Sequence, residues 1–162
     1  MRRFFLLAVL VSFGVASASA QTRISGTVQF GKADTQQVIP VGDRADHSLG
    51  VQQFKCTWSK PLEIEGAKSK DDVLTETNDI SASTVRTRGF GVGTMDSGDK
   101  SFISYQGTAK LKEGNLESGK GTWGFTGGTG KLKGLKGKGT YTCAPSGDGS
   151  SCNVDGEYQL AK

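Results

Sequence analysis

The chain of 162 residues is poor in histidine and cysteine. It contains one histidine, His47, and three dispersed cysteines. A zinc site needs several ligands of these types at suitable spacing, so neither a metal nor another cofactor is expected. There is no Gly-x-Ser-x-Gly elbow, and His47 falls in an expected exposed loop beside Asp43 and Asp46. These absences argue against a Ser-His-Asp triad, and no residue is assigned a catalytic role.

A long apolar run is also missing beyond residue 20. Within residues 1–20, a basic start is followed by an apolar segment over 4–15 and by Ala-Ser-Ala at 18–20, which fits a signal-peptidase site. We therefore expect residues 1–20 to be a signal peptide cleaved after Ala20, and residues 21–162 to form one domain with no membrane span. This predicts a bacterial periplasmic or secreted protein, in a compartment that permits disulfides.

Net charge is small once the expected signal peptide is removed. The formal charge of +4 includes Arg2 and Arg3, which leaves +2, so the basic pI predicts no nucleic-acid partner. Lysine is nevertheless concentrated in a stretch without acids between Glu117 and Asp148. A solvated outer face is the simpler interpretation of that stretch, because exposed lysines also prevent edge association. The alternative is an anionic ligand or surface as partner, bound by the candidates Lys131, Lys133, Lys136 and Lys138.

The three cysteines divide into a pair and a single residue. Cys143 and Cys152 flank the segment APSGDGSS, which is typical of a hairpin connection. If the two residues oppose each other, their side chains share a face, and we predict a disulfide between them. Cys56 is then the odd thiol, and it is expected to be a buried, unreactive core residue.

The chain has 24 glycines, and many of them fall in segments that alternate between apolar and polar residues. Alternation is clearest in 152–160 and recurs in 101–111 and 24–30, which predicts strands. GKGTW at 119–123 returns as GKGTY at 137–141, a composition that disfavours helix and indicates two more strands around a Gly-Gly-Thr-Gly turn. Glycines on the apolar faces would let strands bend and leave room for aromatic rings.

These patterns predict an all-β fold: a single antiparallel β-barrel of about eight strands. A strand at 89–95 is expected before the turn at 96–99, and weaker strands are expected at 50–58, 61–66, 72–78 and 82–90. Residues 31–49 are predicted to be a long loop, and Leu132–Leu135 a short 3₁₀ turn.

Several aromatic side chains converge on the predicted interior. They could line a ligand cavity or simply form the core, since aromatic residues dominate core energetics. Arg86 and Arg88 alternate on one strand and would be carboxylate clamps if they face inward, or surface charge if they face outward. The cavity candidates are Phe54, Cys56, Trp58, Tyr105, Trp123, Phe125 and Tyr141.

The segment WGFTGGTGKLKGLKGKGTY at 123–141 resembles a motif of the allene oxide cyclase-like and dirigent-like barrels. The preceding MDSGDKSFISYQGTAKL at 95–111 is similar to a hairpin of small exported bacterial relatives. The resemblance covers residues 89–142 and implies an eight-stranded, calycin-like antiparallel barrel, often with a hydrophobic cavity. Such cyclases guide a fatty-acid epoxide into a ring, and dirigent-like proteins guide radical coupling, both chiefly through the shape of the cavity. No catalytic residue of these families can be placed on this chain.

Three functions follow from these expectations. The leading hypothesis is a non-enzymatic exported barrel that binds a small apolar or amphipathic ligand. The first alternative is a cavity-guided isomerase or cyclase, with Cys56 or Glu63 as the inward polar group. The second is an envelope-interaction protein that uses the lysine-rich face. The Gly-x-Gly-x-x-G match at 119–124 is not a dinucleotide site, because no strand-to-helix unit surrounds it.

Overall fold

The computed structural model describes residues 21–161, so the expected signal peptide lies outside the described residues. Within that range the chain forms strands and one 3₁₀ turn, Gly130–Leu132, and no helix there is long and apolar enough to cross a membrane. The strands are β1 Thr22–Phe30, β2 Thr35–Pro40, β3 His47–Trp58, β4 Glu63–Ile64, β5 Ala67–Ser81, β6 Thr84–Met95, β7 Lys100–Lys112, β8 Asn115–Gly128, β9 Leu135–Ser146 and β10 Gly149–Leu160.

The ten strands form one antiparallel sheet that closes into a ring. Their order is β2-β3-β1-β10-β9-β8-β7-β6-β5-β4, and a further pairing of β3 with β5 completes the closure. Eight strands therefore have neighbours on both sides, while β2 pairs with β3 alone and β4 with β5 alone. The predicted all-β class is confirmed, and strands β5 to β10 follow one another as an antiparallel meander.

The predicted loop over 31–49 is wrong, because it contains β2 and the start of β3. The edge of β3 pairs with β1 only where Val28–Phe30 meets Cys56–Trp58. Beyond that point β2 takes over and pairs with Ser48–Gln53. All six residues of β2 are exposed, so this strand has no buried face to produce the alternation by which a strand is recognised in sequence.

Other boundaries shift by a few residues. The two expected strands at 82–90 and 89–95 are one strand, β6, and the expected strand at 61–66 is reduced to β4. The 3₁₀ turn comes slightly earlier than predicted and ends at Leu132. Gly98 in the β6–β7 turn and Gly134 before β9 both have positive φ, which glycine adopts without strain.

Inward-facing glycines lie under aromatic rings, as the sequence predicted. A Cβ added at Gly107 or Gly121 would overlap the Tyr141 hydroxyl, and one added at Gly139 or Gly156 would overlap the Trp123 indole. The glycines of adjacent strands thus provide the space into which these two large side chains fit.

One end of the ring is packed solid. The 3₁₀ turn, the short β4 segment and the β6–β7 connection bring together a cluster of buried residues at this end. Leu132 and Leu135 are fully buried within it. The cluster comprises Ile24, Ile64, Ala67, Met95, Phe125, Leu132, Leu135 and Tyr158. We call this cluster the plug, and the rest of the interior lies beyond it.

Candidate functional site

A cavity of about 920 Å³ occupies the interior beyond the packed end. Its rim includes Gly114 and Asn115 of the β7–β8 hairpin and Gly147 and Asp148 of the β9–β10 hairpin. Such a volume lies in the range of sites that hold a small organic molecule. The inside of the ring is thus divided between an open cavity and a conventional core.

All seven predicted cavity candidates line this space. They are Phe54, Cys56, Trp58, Tyr105, Trp123, Phe125 and Tyr141. Three edge-to-face ring pairs organise the wall: Phe30–Phe54 at 6.1 Å, Tyr105–Tyr141 at 6.4 Å and Trp123–Phe125 at 5.2 Å between centroids. Their role in holding a ligand stays a prediction.

Strand β5 adds two acidic residues that the sequence reasoning missed. Asp72, Leu74, Glu76 and Asn78 alternate along β5, and all four line the cavity. The weak strand expected at 72–78 contains the signal, because these positions share one face. Val73 made the inward face ambiguous, since it is apolar but points away from the cavity.

Glu76 is the centre of a hydrogen-bonded cluster on the cavity wall. Its Oε1 accepts hydrogen bonds from Gln52 Nε2 at 2.6 Å and Asn78 Nδ2 at 3.0 Å, and its Oε2 accepts one from the Tyr105 hydroxyl at 2.9 Å. The Thr87 hydroxyl donates to Asn78 Oδ1 at 2.6 Å, which orients the Asn78 amide. Three donors from three strands, β3, β5 and β7, thus fix one carboxylate.

Burial keeps the two tyrosine hydroxyls of the cavity protonated. Burial, with the charge of Glu76 as a second cause, raises the pKa of Tyr141 to about 12. Burial likewise raises the pKa of Tyr105 far above its usual range, and the nearby Glu76 adds to this effect. Both hydroxyls are therefore hydrogen-bond donors, and neither can act as a phenolate base near neutral pH.

Asp72 lies deeper in the cavity than Glu76, next to Cys56 and Trp58. It is 6% exposed, and its Oδ2 accepts a hydrogen bond from Trp58 Nε1 at 3.1 Å. Burial raises the pKa of Asp72 to about 6, and the hydrogen bond from Trp58 opposes this only in part.

Cys56 is the free, buried thiol that the sequence predicted. Burial, with the charge of Asp72 as a second cause, raises its pKa far above that of an exposed thiol. Because the thiolate is the nucleophilic form, Cys56 is poorly suited to covalent catalysis.

The predicted disulfide is present. Cys143 and Cys152 are direct cross-strand partners on β9 and β10, with their Cα atoms 4.0 Å apart and their sulfurs bonded. The bond joins the two strands below the hairpin that forms part of the cavity rim.

The expectation that His47 is an exposed loop residue is wrong. It begins β3, and its side chain is 15% exposed. Its Nδ1 lies 2.6 Å from Asp43 Oδ1 and its Nε2 3.2 Å from Asp79 Oδ1. The hydrogen bond from His47 lowers the pKa of Asp43. Both ring nitrogens are occupied by carboxylates and His47 does not line the cavity, so this arrangement holds the 41–46 loop against β5.

The remaining charged candidates lie on the outside. Arg86 and Arg88 are exposed, which makes them surface charge. Glu63 is also exposed and is not among the cavity-lining residues, so it is not the inward polar group expected for an isomerase.

The four candidate anion-binding lysines are exposed on the outer surface. Lys131 and Lys133 flank Leu132 at the packed end, and Lys136 and Lys138 lie at the start of β9. Lys136 Nζ donates to the Thr126 carbonyl at 2.9 Å, and Lys138 Nζ lies 3.8 Å from Glu157. Two of the four are therefore engaged within the protein, and the role of the group in binding anions stays a prediction.

The donor set also bears on metal binding. Within residues 21–161, no three side chains of His, Cys, Asp or Glu are grouped so as to hold a metal ion.

No known protein-family model matches the chain, and no curated protein matches it.

Proposed function

We infer that the protein is an exported β-barrel that binds a small amphipathic molecule inside the ring. The observation that carries this proposal is the cavity of about 920 Å³, which has both an aromatic wall and a fixed polar cluster at Glu76. A core made only for stability would fill this volume, because empty space in a protein interior reduces stability. Apolar walls with a few oriented polar groups are typical of small-molecule sites.

Membership of the allene oxide cyclase-like and dirigent-like barrels is part of the same proposal. It is supported by the resemblance over residues 89–142 and is compatible with a ring in which eight strands pair on both sides. The export signal at 1–20 and a periplasmic or secreted location complete it. Native mass spectrometry of protein from a bacterial periplasm would then give a chain that begins at Gln21, two hydrogens lighter than the reduced chain.

Binding is tested with N-phenylnaphthylamine, an uncharged apolar dye that fluoresces in dry sites. We expect saturable fluorescence with the wild-type chain and weaker binding by Ala109→Trp, because Ala109 lines the cavity and an indole there would project into it. Lys110→Trp is the matched control, since Lys110 is the next residue of β7 and is exposed. No saturable binding by the wild-type chain, or equal binding by both variants, would contradict the proposal.

A second candidate function is isomerisation or cyclisation of the bound molecule. The observation in its favour is the Glu76 carboxylate, which three neutral donors fix on the cavity wall where it could stabilise a developing cation. In that case the product released from the protein would differ in structure from the substrate but have the same mass. Glu76→Gln would stop the conversion while leaving binding of the dye intact.

A further inference from the structure

The charges inside the cavity, away from its exposed rim, are of one sign. Besides Asp72 and Glu76, the ionisable acids and bases that line it are the thiol of Cys56, the two tyrosine hydroxyls, and Lys32 and Asp148. Lys32 Nζ lies 3.6 Å from Asp148 Oδ2, and both side chains are highly exposed at the rim. This pair neutralises itself, which leaves two carboxylates inside.

Neither interior carboxylate has a cation beside it within residues 21–161. No ion pair is formed by Asp72 or Glu76, and no arginine or histidine lines the cavity. The Gln52, Asn78 and Tyr105 donors orient the Glu76 carboxylate, but they are neutral and leave its charge in place. Removing a carboxylate from water without a counter-charge is unfavourable, so this arrangement is suited to a cation that comes from outside.

The aromatic wall selects for the same charge. The faces of tyrosine and tryptophan rings attract cations, and Trp58, Tyr105 and Tyr141 line the cavity with the two carboxylates. Asp72 and Glu76 are four residues apart on one strand, which separates them by about 13 Å along the cavity. Leu74 lies between them on β5, and Val28 on β1 and Ile103 on β7 also line the cavity, so there is an apolar surface for the body of a ligand.

We propose that the ligand is an organic cation with an apolar body, such as an alkylamine or a quaternary ammonium compound, whose charged group lies beside Glu76. This inference rests on the proposed function and specifies its ligand class. A fatty acid would place a third negative charge in the cavity, so like-charge repulsion opposes its binding. A bare metal ion is a poor match, because the aromatic wall cannot replace its shell of oxygen ligands.

The test compares three molecules with one chain length: decylamine, decanol and decanoate. Each competes with N-phenylnaphthylamine for the intact mature protein at neutral pH. We expect decylamine to bind about tenfold or more tightly than decanoate, with decanol between them. If decanoate binds as tightly as decylamine, the ligand is not a cation, while the proposed function remains in place. Failure of the dye itself to bind would overturn both.

Two variants identify the carboxylate responsible. Glu76→Gln keeps the shape of the side chain and removes its charge, so the preference for decylamine over decanol should fall several-fold. Glu63→Gln is the control, because Glu63 is exposed outside the cavity and its loss should leave the preference unchanged. An unchanged preference in Glu76→Gln would contradict the assignment of the charged group to this residue. The wild-type comparison needs no variant and decides the ligand class even if Glu76→Gln does not fold.

Discussion

Asp72 is a residue whose position lowers the stability of the fold. The residue is 6% exposed, and its carboxylate receives a hydrogen bond from Trp58 with no cation beside it in the described part of the chain. Burial raises its pKa from 3.8 to about 6. The folded chain binds this proton more tightly than the unfolded chain. The stabilising effect of the proton on Asp72 is therefore fully present below about pH 3.8 and is lost as the pH rises through about 6, where the buried carboxylate becomes charged.

Asp72→Asn should therefore stabilise the protein in a pH-dependent manner. The amide keeps an acceptor for Trp58 Nε1 and mimics the protonated acid. The pKa difference corresponds to a gain on the order of 3 kcal/mol above pH 6, which shrinks to almost nothing near pH 4. Urea unfolding of both chains across this range measures it. Asp34→Asn is the control, because Asp34 is exposed and its charge does not contribute to the pKa of Asp72. A gain for Asp72→Asn that does not vary with pH would refute the argument.

At the level of elements, strands with one buried face could be predicted from the sequence. β10 and β7 follow period-two alternation closely, and the seven cavity candidates were found on such faces. β2 could not be predicted, since it is exposed on both faces and exists because β3 needs a partner beyond Phe30. Glu76 was missed for the opposite reason: β5 carries apolar residues on both faces, so only its pairing with β3 and β6 decides which face is inside.

The close pairing of β7 and β8 depends on glycine. A Cβ at Gly121 would overlap the Gln106 carbonyl oxygen on β7 as well as the Tyr141 hydroxyl. The carbonyl belongs to the backbone and cannot move aside without separating the two strands. We therefore expect Gly121→Ala to destabilise the protein by about 1–3 kcal/mol in urea unfolding.

Gly127→Ala is the matched control for that substitution on the same strand. The nearest atom to an added Cβ at Gly127 is Phe102 Cδ2 at 3.6 Å, an ordinary van der Waals contact. We expect it to be neutral or slightly stabilising, because alanine has less freedom than glycine in the unfolded chain. Equal destabilisation by both variants would mean that glycine matters in β8 for flexibility and not for the close approach of the Gln106 carbonyl on β7.

On the scale of the whole molecule, the packed core and the cavity lie at different ends of one ring. The packed end contains the fully buried side chains Ile24, Ile64, Leu132 and Leu135. The cavity end carries the uncompensated acids and has a rim of hairpin turns. The disulfide Cys143–Cys152 joins two strands beside that rim, where the interior packing that stabilises the other end is missing. The division allows the cavity wall to hold polar groups at the expense of local stability while the plug maintains the fold.

Two identical truncations at opposite ends test this division. Leu135→Ala removes a fully buried side chain from the plug and should reduce the free energy of unfolding by about 3–5 kcal/mol, because the space left cannot collapse. Leu111→Ala removes a half-buried side chain that lines the cavity, where less apolar surface is lost from contact, so about 1 kcal/mol is expected. Urea unfolding measures the two free energies of unfolding, and the affinity for the dye reports on the cavity.

If the fold is divided as described, Leu135→Ala loses stability and still binds the dye when folded. Leu111→Ala keeps most of its stability and has a changed affinity for the dye. Comparable losses of stability would mean that the cavity wall supports the fold as much as the plug does, and that the interior acts as one core.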